Sequence, residues 1–469
     1  MLRTAVTENG IVKGLPADDP RVTVYRGIPF AQPPVGENRW KAPQKCSDWE
    51  GVRQCYEFGP ISMQDRPAVG NDLYCREWHV DPDIPISEDS LYLNIWTGAK
   101  STDEKLPVLV WIYGGAFQWG YTAEMEFNGE RLARHDVIVV TIAYRLGVFG
   151  FLAHPDLTKE DPDHPTNFGL LDVQAGLSWV YRNIAAFGGD PDNITLGGQS
   201  AGGAAVSLTM SSPMNKVMIS KASIFSGLMR NPFMVDGIIQ PKDISIAEDN
   251  GKEFISYLGC TSVDEARKKD ALSIRAAYAE YAKDHPRFVP CIDNVYVKDD
   301  PFDLLINGNM IDIPVLSGYT KDEFIEQLPT RVDSSDSRID SLLADITDRN
   351  GRKTINIVEN SVKMIANAHV RNKKEAPMYI YCFEPSVPGY DDPGAFHSCD
   401  LWFFFETIQK CWRPYTGAHY ALARRMCDYW TNFIKTGDPN GKGYDEKTLP
   451  DWRKCSSDNI NDDLMIFTE

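Results

Sequence analysis

Hydrophobic and polar positions alternate in blocks that change period several times along the chain. Val22–Tyr25 alternates weakly and is then broken by Gly27-Ile28-Pro29 and Gln32-Pro33-Pro34, so the N-terminal third reads as strands and turns. Two strongly apolar segments follow, Pro107–Tyr113 and Asp136–Tyr144. Continuous Val/Ile runs of this length predict strands covered on both faces, as in the central sheet of an α/β protein. Leu170–Ala186 places Leu171, Ala175, Leu177, Val180 and Ile184 at helical spacing, and Gly188-Gly189-Asp190-Pro191 reads as the stop of that helix. A short strand is expected at Asn193–Leu196, then a Gly-rich turn and a helix of small residues from Gly202.

The second half is more charged. Arg267–Lys283 and Arg338–Asn372 carry helical patterns and are expected to lie outside the core sheet. Met378–Phe383 and Met465–Phe467 read as late strands, with a long helix at Ala418–Lys435 between them. No Ser/Gly- or Pro-rich linker divides the chain. The expectation is one α/β domain over residues 1–469 with helical excursions around 230–290 and 325–375.

Composition narrows the possible partners. The chain has 469 residues, 43% hydrophobic and 24% charged, with a net charge of −18. No Lys/Arg block appears, which argues against nucleic acid as a partner. The longest apolar run, near Val137–Tyr144, is far short of the ~20 residues that cross a bilayer. Met1-Leu2-Arg3-Thr4 leads into a strand-like stretch with no secretory pattern, so a cytoplasmic protein is expected. The ten cysteines form no CxxC pair, and they are expected to be buried, reduced thiols rather than a zinc or redox motif. The sequon Asn193-Ile194-Thr195 reads as chance.

The chemistry enters at Gly198-Gln199-Ser200-Ala201-Gly202, a G-x-S-x-G elbow in strand–turn–helix context. Such a turn pushes the Ser200 hydroxyl out of the fold, and the following helix aims its N-terminal dipole at developing negative charge. A serine hydroxyl needs a base, usually a histidine oriented by a carboxylate further along the chain. Downstream stand His285, His369, His397 and His419. His397 is favoured because it lies in a loop, Gly394-Ala395-Phe396-His397-Ser398, after a predicted strand, whereas the others sit in charged or helical patterns.

At this point the chain resembles the type-B carboxylesterase/cholinesterase family, in the manner of its para-nitrobenzyl-esterase-like members. The resemblance rests on Gly27-Ile28-Pro29-Phe30-Ala31, Glu88-Asp89-Ser90-Leu91-Tyr92-Leu93-Asn94-Ile95, Trp111-Ile112-Tyr113-Gly114-Gly115-Ala116-Phe117, Asn167-Phe168-Gly169-Leu170-Leu171-Asp172, Phe187-Gly188-Gly189-Asp190-Pro191 and Thr436-Gly437-Asp438-Pro439-Asn440. It implies an α/β-hydrolase fold with a long mixed, mostly parallel sheet flanked by helices. It also implies Ser200 as nucleophile, Glu323 of Lys321-Asp322-Glu323-Phe324 as orienting acid and His397 as base. Asp322 is the rival acid, read as a solvated or structural charge. Backbone N–H groups of Gly115, Ala116 and Ala201 are implied as an oxyanion hole, and Ser226 as a supporting hydroxyl.

Departures from the family pattern stand out at individual positions. Ser90 occupies the place of a disulfide cysteine of secreted members, which favours an intracellular, microbial protein. Gln199 replaces the Glu of cholinesterases, making a choline substrate less favoured. Phe324 replaces a customary Gly. The aromatic run Trp402–Phe405 is expected in the core rather than on a substrate wall. The function expected is hydrolysis of a small-molecule carboxylic ester, with no metal and no organic cofactor; the oligomeric state is left open. Amide or carbamate hydrolysis by the same residues, and a non-catalytic partner-binding role, are the alternatives.

Overall fold

The computed structural model describes residues 1–65, 73–77, 83–227, 243–324, 347, 356–456 and 459–469. Its strands, in chain order, are β1 (Thr4–Thr7), β2 (Gly10–Lys13), β3 (Leu15–Pro16), β4 (Thr23–Pro29), β5 (Val52–Gln54), β6 (Tyr92–Thr97), β7 (Leu106–Ile112), β8 (Ile138–Ile142), β9 (Gly189–Gln199), β10 (Lys221–Phe225), β11 (Val315–Thr320), β12 (Met378–Phe383) and β13 (Leu464–Phe467). Ten of them form one sheet in the order β13-β12-β11-β10-β9-β7-β8-β6-β4-β3, while β1, β2 and β5 make a small separate sheet. From β13 to β8 every neighbouring pair is parallel; β6, β4 and β3 join antiparallel.

The apolar runs explain the middle of the sheet. Every residue of β8, β10, β11 and β12 is buried, as strands covered on both faces require. The helices Phe168–Asn183, Ala201–Ser211, Ile357–Arg371 and Gly417–Thr436 present buried apolar faces. Trp111 of β7 meets Phe405 and Trp430 at ring-centroid distances of 5.0 and 5.7 Å, and Phe225 stacks on Phe404 at 4.6 Å. Trp402–Phe405 are all buried in this cluster, as the sequence led us to expect.

Two expectations are corrected. Gly189-Asp190-Pro191 does not lie outside the sheet: β9 begins at Gly189 and runs eleven residues. Its pairing with β7 jumps from Leu106↔Gly189 to Val108↔Ile194, so a bulge takes up Asp190–Asn193 and spares Pro191 a ladder hydrogen bond. Arg267–Lys283 is not one helix. Val263–Arg267 and Ala271–Tyr281 are separate, because the Asp270 side chain accepts from Ser273 N and caps a new start. The first half of Arg338–Asn372 lies mostly outside the described residues. Its second half is the helix Ile357–Arg371.

All ten cysteines are free thiols, eight of them buried. Ser90 meets Ser62, hydroxyl to hydroxyl at 3.1 Å. Asn193 lies inside β9 with its side-chain amide donating to Lys435 O at 3.2 Å. Among the described residues no helix is long and apolar enough to cross a membrane.

Two carboxyl groups sit close together beside the sheet, Glu126 buried and Glu124 half-buried. Glu124 accepts from Tyr121 N at 2.8 Å, and Glu126 is 1% exposed. Burial pushes Glu124 up to about 7, and burial together with the neighbouring Glu124 pushes Glu126 well above the usual carboxylate range. Both folded-state values are raised, so the native state holds protons that the unfolded chain releases once pH passes the ordinary Glu value. Stability from this pair is present in acid and is lost as pH rises toward about 7 and beyond. Glu126→Gln is therefore expected to flatten the decline in thermal unfolding temperature between pH 5 and 8, with a differential on the order of 2 kcal/mol. Parallel pH dependences for the two proteins would contradict this.

Candidate active site

The functional side chains gather where the parallel strands end, the usual site for ligands in open α/β sheets. β9 runs into the turn at Ser200, and the helix Ala201–Ser211 leaves it. Ser200 has φ 55° and ψ −125°, a strained conformation for a residue with a side chain. The turn is anchored by Ser200 N donating to Phe225 O at 2.9 Å. It also needs a close approach of two backbones: a Cβ on Gly202 would lie 2.1 Å from Ile112 O. Only glycine fits there.

Glu323 follows β11 and His397 follows β12. Both are buried, at 0% and 5% exposure. A Glu323 Oε2–His397 Nδ1 hydrogen bond joins them. The other carboxylate oxygen, Oε1, accepts from Ser226 Oγ and from Thr320 N, the latter at 3.0 Å. The hydrogen-bonded chain Ser226–Glu323–His397 is thus continuous. With a carboxylate on Nδ1 the imidazole carries its proton there, leaving Nε2 as the free acceptor.

That acceptor meets an unexpected partner. Gln199 Nε2 lies 3.0 Å from His397 Nε2, and among the described residues no hydrogen bond joins Ser200 Oγ to the ring. Sequence reading singled out Gln199 only for the charge it lacks.

The loop that carries Gly115 and Ala116 is strained in its own way. Gly115 has φ 103°, and Ala116 and Phe117 follow at 53° and 59°. A Cβ on Gly115 would strike Trp119 O at 2.2 Å, which fixes glycine at that position. A succession of left-handed residues turns N–H groups toward one concavity. Ala201 opens the elbow helix, where N–H groups lack intrahelical acceptors.

The other residues weighed from sequence are accounted for. His285 stacks on Tyr281 at 4.0 Å, and His419 caps its own helix through Thr416 and bonds Ser386 O at 3.0 Å. His369 lies in the helix Ile357–Arg371. Asp322, the rival acid, is half-buried and engaged in structural contacts. Its N donates to Ala395 O at 3.0 Å, its Oδ2 accepts from Ala395 N at 2.7 Å, and it bridges to Phe396. It clasps the Glu323 loop to the His397 loop. Phe324 holds φ 42°, the conformation that a glycine adopts freely, and sets its ring 4.0 Å from the His397 ring. Asp400, which follows the His397 loop, is fully buried, accepts from Tyr381 Oη at 2.6 Å, and burial raises its carboxyl to about 7.

The sheet order and the elbow define an α/β hydrolase. The carboxylesterase family model matches residues 3–355 and 348–466, and the chain belongs to that family. It is 32% identical to bile salt-activated lipase of Rattus norvegicus over 94% of this chain and 78% of that protein. It is 31% identical to cholinesterase of Mus musculus over 93% and 79%. A thermophilic PNB esterase structure superposes with a TM-score of 0.79 at 29% identity, covering all of this chain and 96% of that one. The protein is a carboxylic ester hydrolase.

Ser226→Ala leaves Glu323 Oε1 with Thr320 N alone. The expected outcome is a loss of about 1–3 kcal/mol in urea unfolding and a lower kcat with KM little changed. A fully stable, fully active variant would show that the hydroxyl only fills space.

Proposed function

We propose that Ser200, His397 and Glu323 act as nucleophile, general base and orienting acid in a two-step acyl transfer. The observation that carries this reading is the Glu323–His397 hydrogen bond beside the strained Ser200 turn. Ser200 Oγ attacks the ester carbonyl as His397 Nε2 takes its proton. The N–H groups of Gly115, Ala116 and Ala201 receive the oxyanion, each donor worth roughly 3–4 kcal/mol in comparable sites. His397 then protonates the departing alcohol, and water, activated by the same nitrogen, releases the acid. Glu323 holds the proton on Nδ1 throughout, and Ser226 holds Glu323.

Gln199 must release Nε2 before that nitrogen can serve Ser200, so the first turn of the cycle includes a side-chain rotation. Its amide is neutral, which favours an uncharged ester over a quaternary ammonium ester. Free thiols throughout the chain support the cytoplasmic reading, and the unbroken ten-strand sheet supports a single domain.

Ser200→Ala is expected to lower hydrolysis of p-nitrophenyl butyrate by at least about 10⁴-fold while leaving the fold intact; retained activity would remove Ser200 from the mechanism. Gln199→Glu places a carboxylate against Nε2, which favours the protonated ring. The acidic limb of its kcat/KM–pH profile is expected to move to higher pH, and hydrolysis of a choline ester to rise relative to p-nitrophenyl butyrate. An unmoved limb would show that the side chain at position 199 does not touch the base during turnover.

A further inference from the structure

At the opposite end of the sheet, where β8 begins, three unlike metal-binding groups converge. His135 caps the helix Glu130–Arg134 and precedes β8 by three residues. Glu406 follows the helix Leu401–Phe404, and Cys427 lies in the helix Gly417–Thr436. One ligand atom from each of the three lies within 4.8 Å of the other two. Three points at that spacing share a centre about 2.8 Å from each, so a contraction of roughly half an ångström per ligand gives the ~2.0–2.3 Å bonds of zinc to nitrogen, oxygen and sulfur.

These groups do not consume one another. Glu406 Oε2 stands 3.8 Å from His135 Nε2, and Asp428 Oδ1 3.6 Å from Nδ1, both beyond hydrogen-bond length. Among the described residues Cys427 Sγ meets Thr431 Oγ1 alone, at 4.0 Å. Asp428 faces Nδ1 of the ring and Glu406 faces Nε2. A carboxylate behind the ligating imidazole is the usual outer partner of a metal-bound histidine. Asp428 is itself held by Tyr444 N at 3.1 Å.

Two of the three groups, His135 and Glu406, are reachable, while Cys427 is fully buried. A cavity of about 580 Å³ is lined by His135, Glu406, Asp428, Tyr444, Arg131 and Arg424. Two further cations on its wall are already neutralised, Lys447 by Asp445 at 2.6 Å and Arg134 by Asp19 at 3.3 Å. Arg131, Arg424 and Arg425 also line the cavity, and their charge suits a water or small anion in a fourth coordination position.

We propose that His135, Glu406 and Cys427 form a binding site for a zinc-like divalent cation, with Asp428 orienting the histidine. Thiolate, imidazole and carboxylate together select a borderline-soft transition ion over magnesium or calcium. Cys427 binds as the thiolate, so its proton leaves to solvent on loading and affinity increases with pH. The ion ties the helix Gly417–Thr436 to the segment that enters β8. It is remote from Ser200, so its presence is expected to change stability and not ester turnover.

The test is a cobalt(II) titration of the chelator-treated full chain. The expected result is one ion per chain with a thiolate-to-cobalt charge-transfer band in the near ultraviolet. Cys427→Ser abolishes that band. His135→Asn and Glu406→Gln each weaken binding by at least tenfold, and Asp428→Asn by about tenfold. Zinc is expected to raise the unfolding temperature of the wild type and not of Glu406→Gln. Absence of the band in the wild type, or its survival in Cys427→Ser, overturns the proposal. If Cys427→Ser does not fold, undiminished binding in both His135→Asn and Glu406→Gln overturns it instead. Hydrolysis of p-nitrophenyl butyrate, measured with and without the ion, reports separately on the esterase reading.

Discussion

The contact between the backbone of Gly202 and Ile112 O lets the rest of the site exist. At that point the helix Ala201–Ser211 is pressed against the end of β7, with no room for even a methyl group. The approach forces the chain to reverse within one residue, and Ser200 absorbs the reversal with φ 55°. Once Ser200 is fixed, its neighbours are fixed by the sheet. Ser226 follows β10, Glu323 follows β11 and His397 follows β12, so three adjacent parallel strands deliver these three side chains in spatial order. The register of the sheet sets the geometry, and the loops only complete it.

Strain collects around this point. Ala116, Phe117, Ser200, Ser226, Phe324 and Ser398 all hold positive φ, and each costs about 1–3 kcal/mol. Such conformations persist only where the surroundings over-determine them. Here the surroundings are a core of interlocked aromatic rings from β7, β10 and the helix Gly417–Thr436, of which Trp111, Phe225 and Trp430 are members. Stability is spent in the core to hold a handful of residues where an unconstrained chain would not keep them.

Much of this was legible in the sequence, and the reasons differ from residue to residue. The elbow could be read because its glycines answer a steric demand that leaves a fixed spacing. β8 and β12 could be read because full burial leaves uninterrupted apolar runs. Glu323 was reached only through family resemblance, since nothing local separates it from Asp322. The clasp made by Asp322 was invisible because its partner, Ala395, lies 73 residues further on. The contact of Gln199 with His397 depends on a side-chain rotamer that no pattern encodes. The extent of β9 was misjudged because Pro191 reads as a stop, whereas a bulge in the pairing with β7 absorbs it. The convergence of His135, Glu406 and Cys427 escapes any spacing rule, because the residues are separated by nearly three hundred positions.

The clasp between Asp322 and Ala395 also divides the site mechanically. The loops of Glu323 and His397 are stitched to each other by backbone and side-chain bonds. Ser200 belongs to the β9 elbow, joined to them through the sheet and through the side chain of Gln199. The Glu323–His397 bond is therefore less exposed to small shifts of the sheet than the distance from either residue to Ser200.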